Sequence, residues 1–175
     1  MADRPSPVRA PVPPSWAGEA LAHLDALYNL GRYLTPSASE AEDLVQETYA
    51  RALTSAGSFQ GGNLKAWLFT ILRHVLVDVR RKGKPLVGLV DLEDAEGHGG
   101  GPTLPPDALA RLVASDLQDA LQILSEEART LVLLDLEGFT ETEMAAIMGC
   151  AVGTVKSRLS RSRHALRARL QDYAP

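Results

Sequence analysis

Apolar residues return every three to four positions along most of this chain, the spacing of helices that each pack one face. From Trp16 to Leu34 the repeat runs through Leu21, Leu24, Leu27 and Tyr28, and Pro36 ends it. A second repeat uses Ala41, Leu44, Val45, Thr48, Tyr49 and Ala52, opened by a candidate capping box from Ser39 to Glu42. Gly57, Gly61 and Gly62 then free the backbone for a loop. The most apolar repeat follows, from Leu64 to Lys82, with Trp67, Leu68, Ile71, Leu72, Val75 and Val79 as candidate core. Further helices are predicted from Leu109 to Leu124, from Glu126 to Glu137 behind a Ser125 cap, from Thr140 to Met148, and from Val152 to Leu170. Residues 83–108 are rich in Gly and Pro and read as a flexible linker, and five prolines make residues 1–15 a disordered tail. The run from Leu86 to Leu92 is short enough for a strand, but no partner strand exists, so a sheet is rejected. The expected fold is all-α: a helical domain over 16–82, the linker, and a second helical domain over 109–175.

The second domain carries the most specific pattern. Thr140 and Glu143 have capping-box spacing at the head of a short helix, and Gly149-Cys150 supplies a tight turn before the last helix. In that last helix Val155, Leu159, Leu166 and Leu170 share one face, while Gly153, Thr154, Ser157, Ser160, Arg161 and His164 share the opposite one. Lys156, Arg158, Arg163, Arg167 and Arg169 stand between them with no acid to offset them. This is a helix-turn-helix pattern, whose second helix enters the major groove while the first braces it. A basic face alone fits a solvated helix equally well; the capped partner helix and the turn favour DNA.

Charge sharpens the picture. The chain has 175 residues and a formal net charge of −4, which argues against a general nucleic-acid coat. Its bases are clustered at Arg73 to Lys84 and Lys156 to Arg169, its acids at Glu40 to Glu47 and Asp91 to Glu96. Two positive surfaces and one negative surface imply two nucleic-acid contacts and a different third partner. On the third helix Lys65, Arg73, His74, Arg80, Arg81 and Lys82 accompany Trp67 beside a Gly-rich loop. Cations neutralise phosphates and an aromatic ring can stack an unpaired base, as a single-strand surface requires; filling a bundle centre is the simpler role for Trp67. Cys150 is the lone cysteine and the four histidines lack ligand spacing, so neither a disulfide nor a metal or other cofactor is expected. No convergent nucleophile and base suggest an enzyme. No apolar run spans a bilayer and the first residues lack a signal-peptide pattern, so a cytoplasmic protein without membrane insertion is expected.

AEDLVQETYARAL, NLKAWLFTILRHVLVDVRR and LSEEARTLVLLDLEGFTETEMAAIMGCAVGTVKSRLSRSRHALR, in this order, resemble the bacterial extracytoplasmic-function sigma factors of the sigma-70 superfamily. The resemblance spans roughly Glu19 to Leu170. It implies a factor that directs core RNA polymerase to promoters and assists their melting. Asp43, Gln46 and Glu47 would dock on the β′ coiled coil, with the β subunit a further contact. Asn63, Lys65, Trp67, Arg73, His74, Arg80 and Arg81 would hold the unpaired −10 strand, and Thr154, Lys156, Ser157, Arg158, Ser160, Arg161 and His164 would read the −35 element. It also implies promoter DNA and an anti-sigma factor as partners. Two positions depart from the family pattern: His74 stands where Asn is usual, and Ala151 where Ser commonly precedes the recognition helix. A stand-alone helix-turn-helix regulator is the competing reading, and it leaves the DLVQET face and the Trp67 helix without a role.

Overall fold

The computed structural model describes residues 14–82 and 119–170, and among these every regular element is helical. The N-terminal helices are α1 (Pro14–Leu21), α2 (Leu24–Leu34), α3 (Ala38–Ser55) and α4 (Leu64–Arg81), with one 3₁₀ turn at Ala56–Ser58. Residues 119–122 are helical, and α5 (Glu126–Leu136), α6 (Glu141–Met148) and α7 (Val152–Arg169) follow. The linker, the Leu86 to Leu92 run, most of the Leu109 helix and the expected tail up to residue 13 lie outside the described residues, whereas Pro14 and Ser15, expected in that tail, open α1, Pro14 as its first residue where no amide partner is needed.

Local chemistry sets most helix ends. Asn63 caps α4 by accepting from the Ala66 amide at 3.1 Å, and Ser125 caps α5 by accepting from the Ala128 amide at 3.3 Å. At α6 the capping box is complete: the Thr140 hydroxyl accepts from the Glu143 amide, and the Glu143 carboxylate accepts from the Thr140 amide at 2.8 Å. Gly138 and Gly149, at φ of 82° and 62°, turn the chain after α5 and α6 in the left-handed region that other residues avoid.

Three expectations are corrected. The helix drawn from Trp16 to Leu34 is two helices, because the Ala22 and His23 amides bond back to Gly18 and Ala20 and close α1. The break leaves Leu21 and Leu24 exposed, and Trp16 and Ala20 face the core instead. The cap of α3 is Ser37, not Ser39: Pro36 keeps Thr35 extended, and Ser37 accepts from the Glu40 amide at 3.2 Å. On α4 the buried set is Leu64, Leu68, Phe69, Leu72, Val75 and Leu76, so Phe69 and Leu76 join the core while Trp67 is half-buried.

That last shift explains the architecture. Leu68, Leu72 and Val75 pack with Leu27, Leu30 and Leu44 of α2 and α3 in one hydrophobic cluster, and the same cluster continues into Leu131, Leu134, Met144, Ile147, Val155 and Leu159 of the C-terminal helices. At the junction the Phe69 and Phe139 rings meet edge to face with centroids 4.9 Å apart. Helix α4 therefore has two packed sides, where one stripe was expected. Within the last helix Val155 and Leu159 are buried as expected, Leu166 and Leu170 are only half-buried, and Ser162 is buried with its hydroxyl donated to the Arg158 carbonyl at 2.8 Å.

Ala151 occupies the N-cap of α7 in an extended conformation and makes no side-chain cap. The Thr154 amide already donates to the Ala151 carbonyl at 2.9 Å, which limits what a hydroxyl can add. Ala151→Ser is expected to stabilise the protein by about 0.5 to 1 kcal/mol, raising the melting temperature by about 2 °C. Thermal unfolding followed by circular dichroism checks it, and an unchanged melting temperature would mean that the cap adds nothing.

Candidate nucleic-acid interface

Helices α6 and α7 form the helix-turn-helix. Gly149 turns the chain, the Cys150 amide returns to the Ala145 carbonyl at 3.0 Å, and α7 starts at Val152 with no acidic residue in its first turn. Burial of Val155 and Leu159 fixes the rotation of α7 about its axis, which turns Lys156, Ser157, Ser160, Arg161 and His164 to solvent in one row. Thr154 at its edge is half-buried. Arg161 is exposed and donates Nε to the Ser157 carbonyl at 3.2 Å, within its own helix. The flanking bases are engaged inside the module: Arg158 pairs with Glu127 at 2.8 Å, Arg163 with Asp135 at 2.6 Å, and Lys156 more loosely with Glu141 at 3.4 Å. Arg158, expected on the groove face, is half-buried against α5.

The second basic surface lies along α4, and its members are not equivalent. His74 is exposed, which removes a bundle-filling role for it; Arg81 is also exposed and Arg73 is half-buried. Trp67 is flanked by Trp16, with centroids 6.0 Å apart, and by Phe59 at 5.3 Å. Its ring thus ties the 3₁₀ turn and α1 to α4, alongside the Tyr49 hydroxyl that donates to the Ala20 carbonyl at 2.7 Å. Asn63, Lys65 and Arg80 all touch carboxylates of the C-terminal helices. Asn63 Nδ2 donates to Glu143 at 2.6 Å, Lys65 Nζ donates to the Glu137 carboxylate at 2.7 Å and to its carbonyl at 3.0 Å, and Arg80 pairs with Glu126. The Thr140 amide, then Asn63 and the Thr140 hydroxyl, hold the Glu143 carboxyl below its ordinary range. Burial, and then the nearby Arg129 charge, weaken the basicity of Arg80.

The acidic surface is the outer face of α3. Asp43, Gln46 and Glu47 are all exposed, and together with Glu40 they rim a groove of about 560 Å³ whose floor includes Leu44, Val75, Leu76 and Val79. Arg51 braces this rim, bonding Glu47 at 2.7 Å and Asp78 of α4 at 2.6 Å. These carboxylates in turn hold the Arg51 guanidinium more firmly charged, and Arg51 draws the Asp78 carboxyl down. Among the described residues no group of three or more His, Cys, Asp or Glu is placed to hold a metal ion, and no helix is long and apolar enough to cross a membrane.

The described residues thus carry two basic surfaces, on α7 and α4, and one acidic groove along α3. The sigma-70 region 2 family matches residues 20–85, and the sigma-70 region 4 family matches residues 114–166. The chain is 40% identical over 174 residues to the ECF RNA polymerase sigma factor EcfG of Rhodopseudomonas palustris, covering 94% of this chain and 93% of that one. This chain belongs to the ECF sigma factors.

As a sigma factor it directs RNA polymerase. It is also 33% identical over 159 residues to the ECF sigma factor SigW of Bacillus subtilis, with 85% of this chain and 84% of that relative covered. The sigma factor RpoE, solved in complex with the anti-sigma factor NepR from Bartonella quintana, superimposes with a TM-score of 0.69 at 37% identity, over 90% of this chain and 97% of that one. CnrH, solved with the cytosolic domain of CnrY, has the same fold at a TM-score of 0.67 and 23% identity.

Sequence reasoning missed three kinds of residue at these surfaces. Glu126, Glu137 and Glu143 look like ordinary helix-end acids, and each meets a base or amide more than forty positions away in the chain. Arg51 reads as one more polar residue on α3. Arg129, which the periodicity does not single out, donates to the Leu121 carbonyl at 3.0 Å and fastens residues 119–122 to α5. Only the i,i+4 spacing of Glu47 and Arg51 could have signalled any of these contacts.

Proposed function

We propose that this ECF sigma factor binds core polymerase through α3, reads the −35 element with α7, and captures the unpaired −10 strand with the loop before α4 and α4 itself. The supporting observation is the coexistence, in one chain matching both sigma regions, of a solvent-facing row from Lys156 to His164 and an exposed His74 on the second basic helix. Asp43, Gln46 and Glu47 would meet the β′ coiled coil, and the apolar floor beneath them suits a helical partner with basic edges. Thr154, Lys156, Ser157, Ser160 and Arg161 would contact the −35 duplex, with His164 beyond them and Arg158 reaching DNA on leaving Glu127. Asn63, Lys65, Arg73, Arg80 and Arg81 would grip −10 phosphates while His74 addresses an extruded base; Trp67 would shape this pocket from beneath. The protein acts in the cytoplasm, without a catalytic centre or cofactor of its own, on promoter DNA held by the polymerase. The Bartonella complex supports an anti-sigma factor as a further partner.

Run-off transcription with purified core polymerase and a promoter library tests the whole assignment, because start sites report both elements. Three variants then separate the surfaces. Asp43→Lys with Glu47→Lys is expected to abolish co-purification with core polymerase while helical content is unchanged, since both side chains face solvent; loss of the circular dichroism signal would mean that they hold the fold. Arg161→Ala is expected to cost about 1 to 3 kcal/mol and to relax preference at one or two −35 bases. An equal loss across all −35 variants in competition binding would assign Arg161 to phosphate instead.

His74→Ala carries the third test. Opening a promoter requires unstacking at least one base, at a cost of a few kcal/mol that a pocket must return by stacking and edge hydrogen bonds. The variant is expected to bind core polymerase and fold normally, to fail on duplex promoters, and to recover on a template already mismatched at −10. His74→Asn is expected to stay active with altered −10 preference. Normal opening by His74→Ala would remove this residue from the site.

A further inference from the structure

One aromatic contact reaches the −10 surface from α1, a helix that carries none of the three recognition faces. Trp16 is 7% exposed and meets the Trp67 ring edge to face, with centroids 6.0 Å apart and planes at 75°. The same Trp67 ring meets Phe59 at 5.3 Å. From Gly57 to Asn63 every residue but Phe59 is exposed, so the Phe59 ring is what anchors the loop ahead of α4 on the bundle. Gly61 and Gly62 follow at φ of 91° and 95°, with nothing within 4 Å of where a Cβ would stand. Trp16 is itself fixed from α3, because the buried Ala20, one turn along α1, accepts the Tyr49 hydroxyl at its carbonyl at 2.7 Å. The Trp16 indole N–H is buried and finds no acceptor among the described residues, so the ring contributes its packed edge and not a hydrogen bond. Trp16 also precedes the region 2 match, which begins at residue 20.

We propose that Trp16 is a positioning residue for −10 capture: through Trp67 it fixes Phe59, and so holds the loop of residues 59–63 in the place from which it and α4 take the unpaired strand. The proposal rests on the −10 assignment made above. Trp16 is too buried to touch DNA, so it acts only through Trp67 and Phe59. Glycine loses more conformational freedom on ordering than other residues, and this loop carries Gly61 and Gly62 side by side. An anchor set before the strand arrives removes part of that ordering cost. Loss of the anchor is therefore expected to weaken promoter opening, the step in which an extruded base must be held, and to spare core binding through α3 and duplex reading through α7.

The test uses the full-length chain with Trp16→Leu, which stays apolar but has no aromatic edge, and with Trp16→Phe, which keeps an edge and removes the buried N–H. Leu27→Val, a change in the same core on α2, controls for lost stability. Each protein is assembled with core polymerase and run on one promoter recovered from the run-off library, both as a duplex and with the −10 region mismatched. Trp16→Leu is expected to lose about tenfold in duplex transcription and to recover to within about twofold of wild type on the mismatched template. Trp16→Phe and Leu27→Val are expected to stay within about threefold of wild type on both. In the free chain, chymotrypsin cleavage after Phe59, read by mass spectrometry, should rise about fivefold in Trp16→Leu and not in Leu27→Val, because an unanchored loop opens locally. Should Trp16→Leu not fold, Phe59→Leu breaks the same stack from the half-buried loop side and is held to the same expectation on the two templates. If the variant keeps the wild-type ratio of duplex to mismatched transcription, or loses it no more than Leu27→Val, while His74→Ala loses it, the positioning role is overturned and the −10 assignment stands. A Trp16→Phe protein as defective as Trp16→Leu overturns the role as well, since the aromatic edge would then not matter. If neither His74→Ala nor Arg81→Ala changes that ratio, the −10 assignment fails and the positioning role falls with it.

Discussion

The double burial of α4 is the constraint on which the rest of this structure depends. Its Leu68, Leu72 and Val75 close the N-terminal bundle, and its Phe69 seats Phe139 of the C-terminal helices. Fully burying one such side chain contributes about 1.5 to 3 kcal/mol, and an edge-to-face aromatic pair adds about 0.5 to 1.5 kcal/mol. The charged contacts around it are partly exposed, where a pair is worth about 0 to 1 kcal/mol. Apolar packing therefore holds the two modules together, and charge decides which side chains meet once they are held.

The same division runs through the recognition helix. Val155 and Leu159 anchor α7 and choose its rotation, and that rotation alone puts Ser157, Ser160, Arg161 and His164 outward. Arg158 and Arg163 lie nearer the packed side, within reach of Glu127 and Asp135. A basic helix in an acidic protein thus keeps a narrow exposed row while acids of its own module neutralise its flanks. The narrowness favours a duplex groove over diffuse electrostatic attachment, because readout needs a few placed donors more than total charge.

On the acidic side, Arg51 links the exposed α3 rim to Asp78 of α4. A rim held at Glu47 presents that carboxylate in a fixed arrangement, which lowers the ordering cost of meeting a helical partner. In the proposed function recognition is distributed over three helix faces, each aimed by burial on its reverse side.

What the sequence by itself determined is the local chemistry. Ser125 and Thr140 announce their helices, Gly149 announces its turn, and the helix-turn-helix is readable because a capping box, a left-handed glycine and an amphipathic repeat lie within thirty residues of each other. The exposed row on α7 and the acidic face of α3 were legible for the same reason, since a 3.6-residue period assigns faces once the buried stripe is known. The period misled at α1 and α2, where a two-residue break resets the phase, and at α4, where one stripe accounts for only one of two packed sides. Only the tertiary structure decided that Phe69 belongs to the core, that Trp67 is wedged between Trp16 and Phe59, and that Glu126, Glu137 and Glu143 sit on Arg80, Lys65 and Asn63. The three glutamate contacts join residues 46 to 80 positions apart, and no local propensity or spacing carries information about a partner at that distance along the chain.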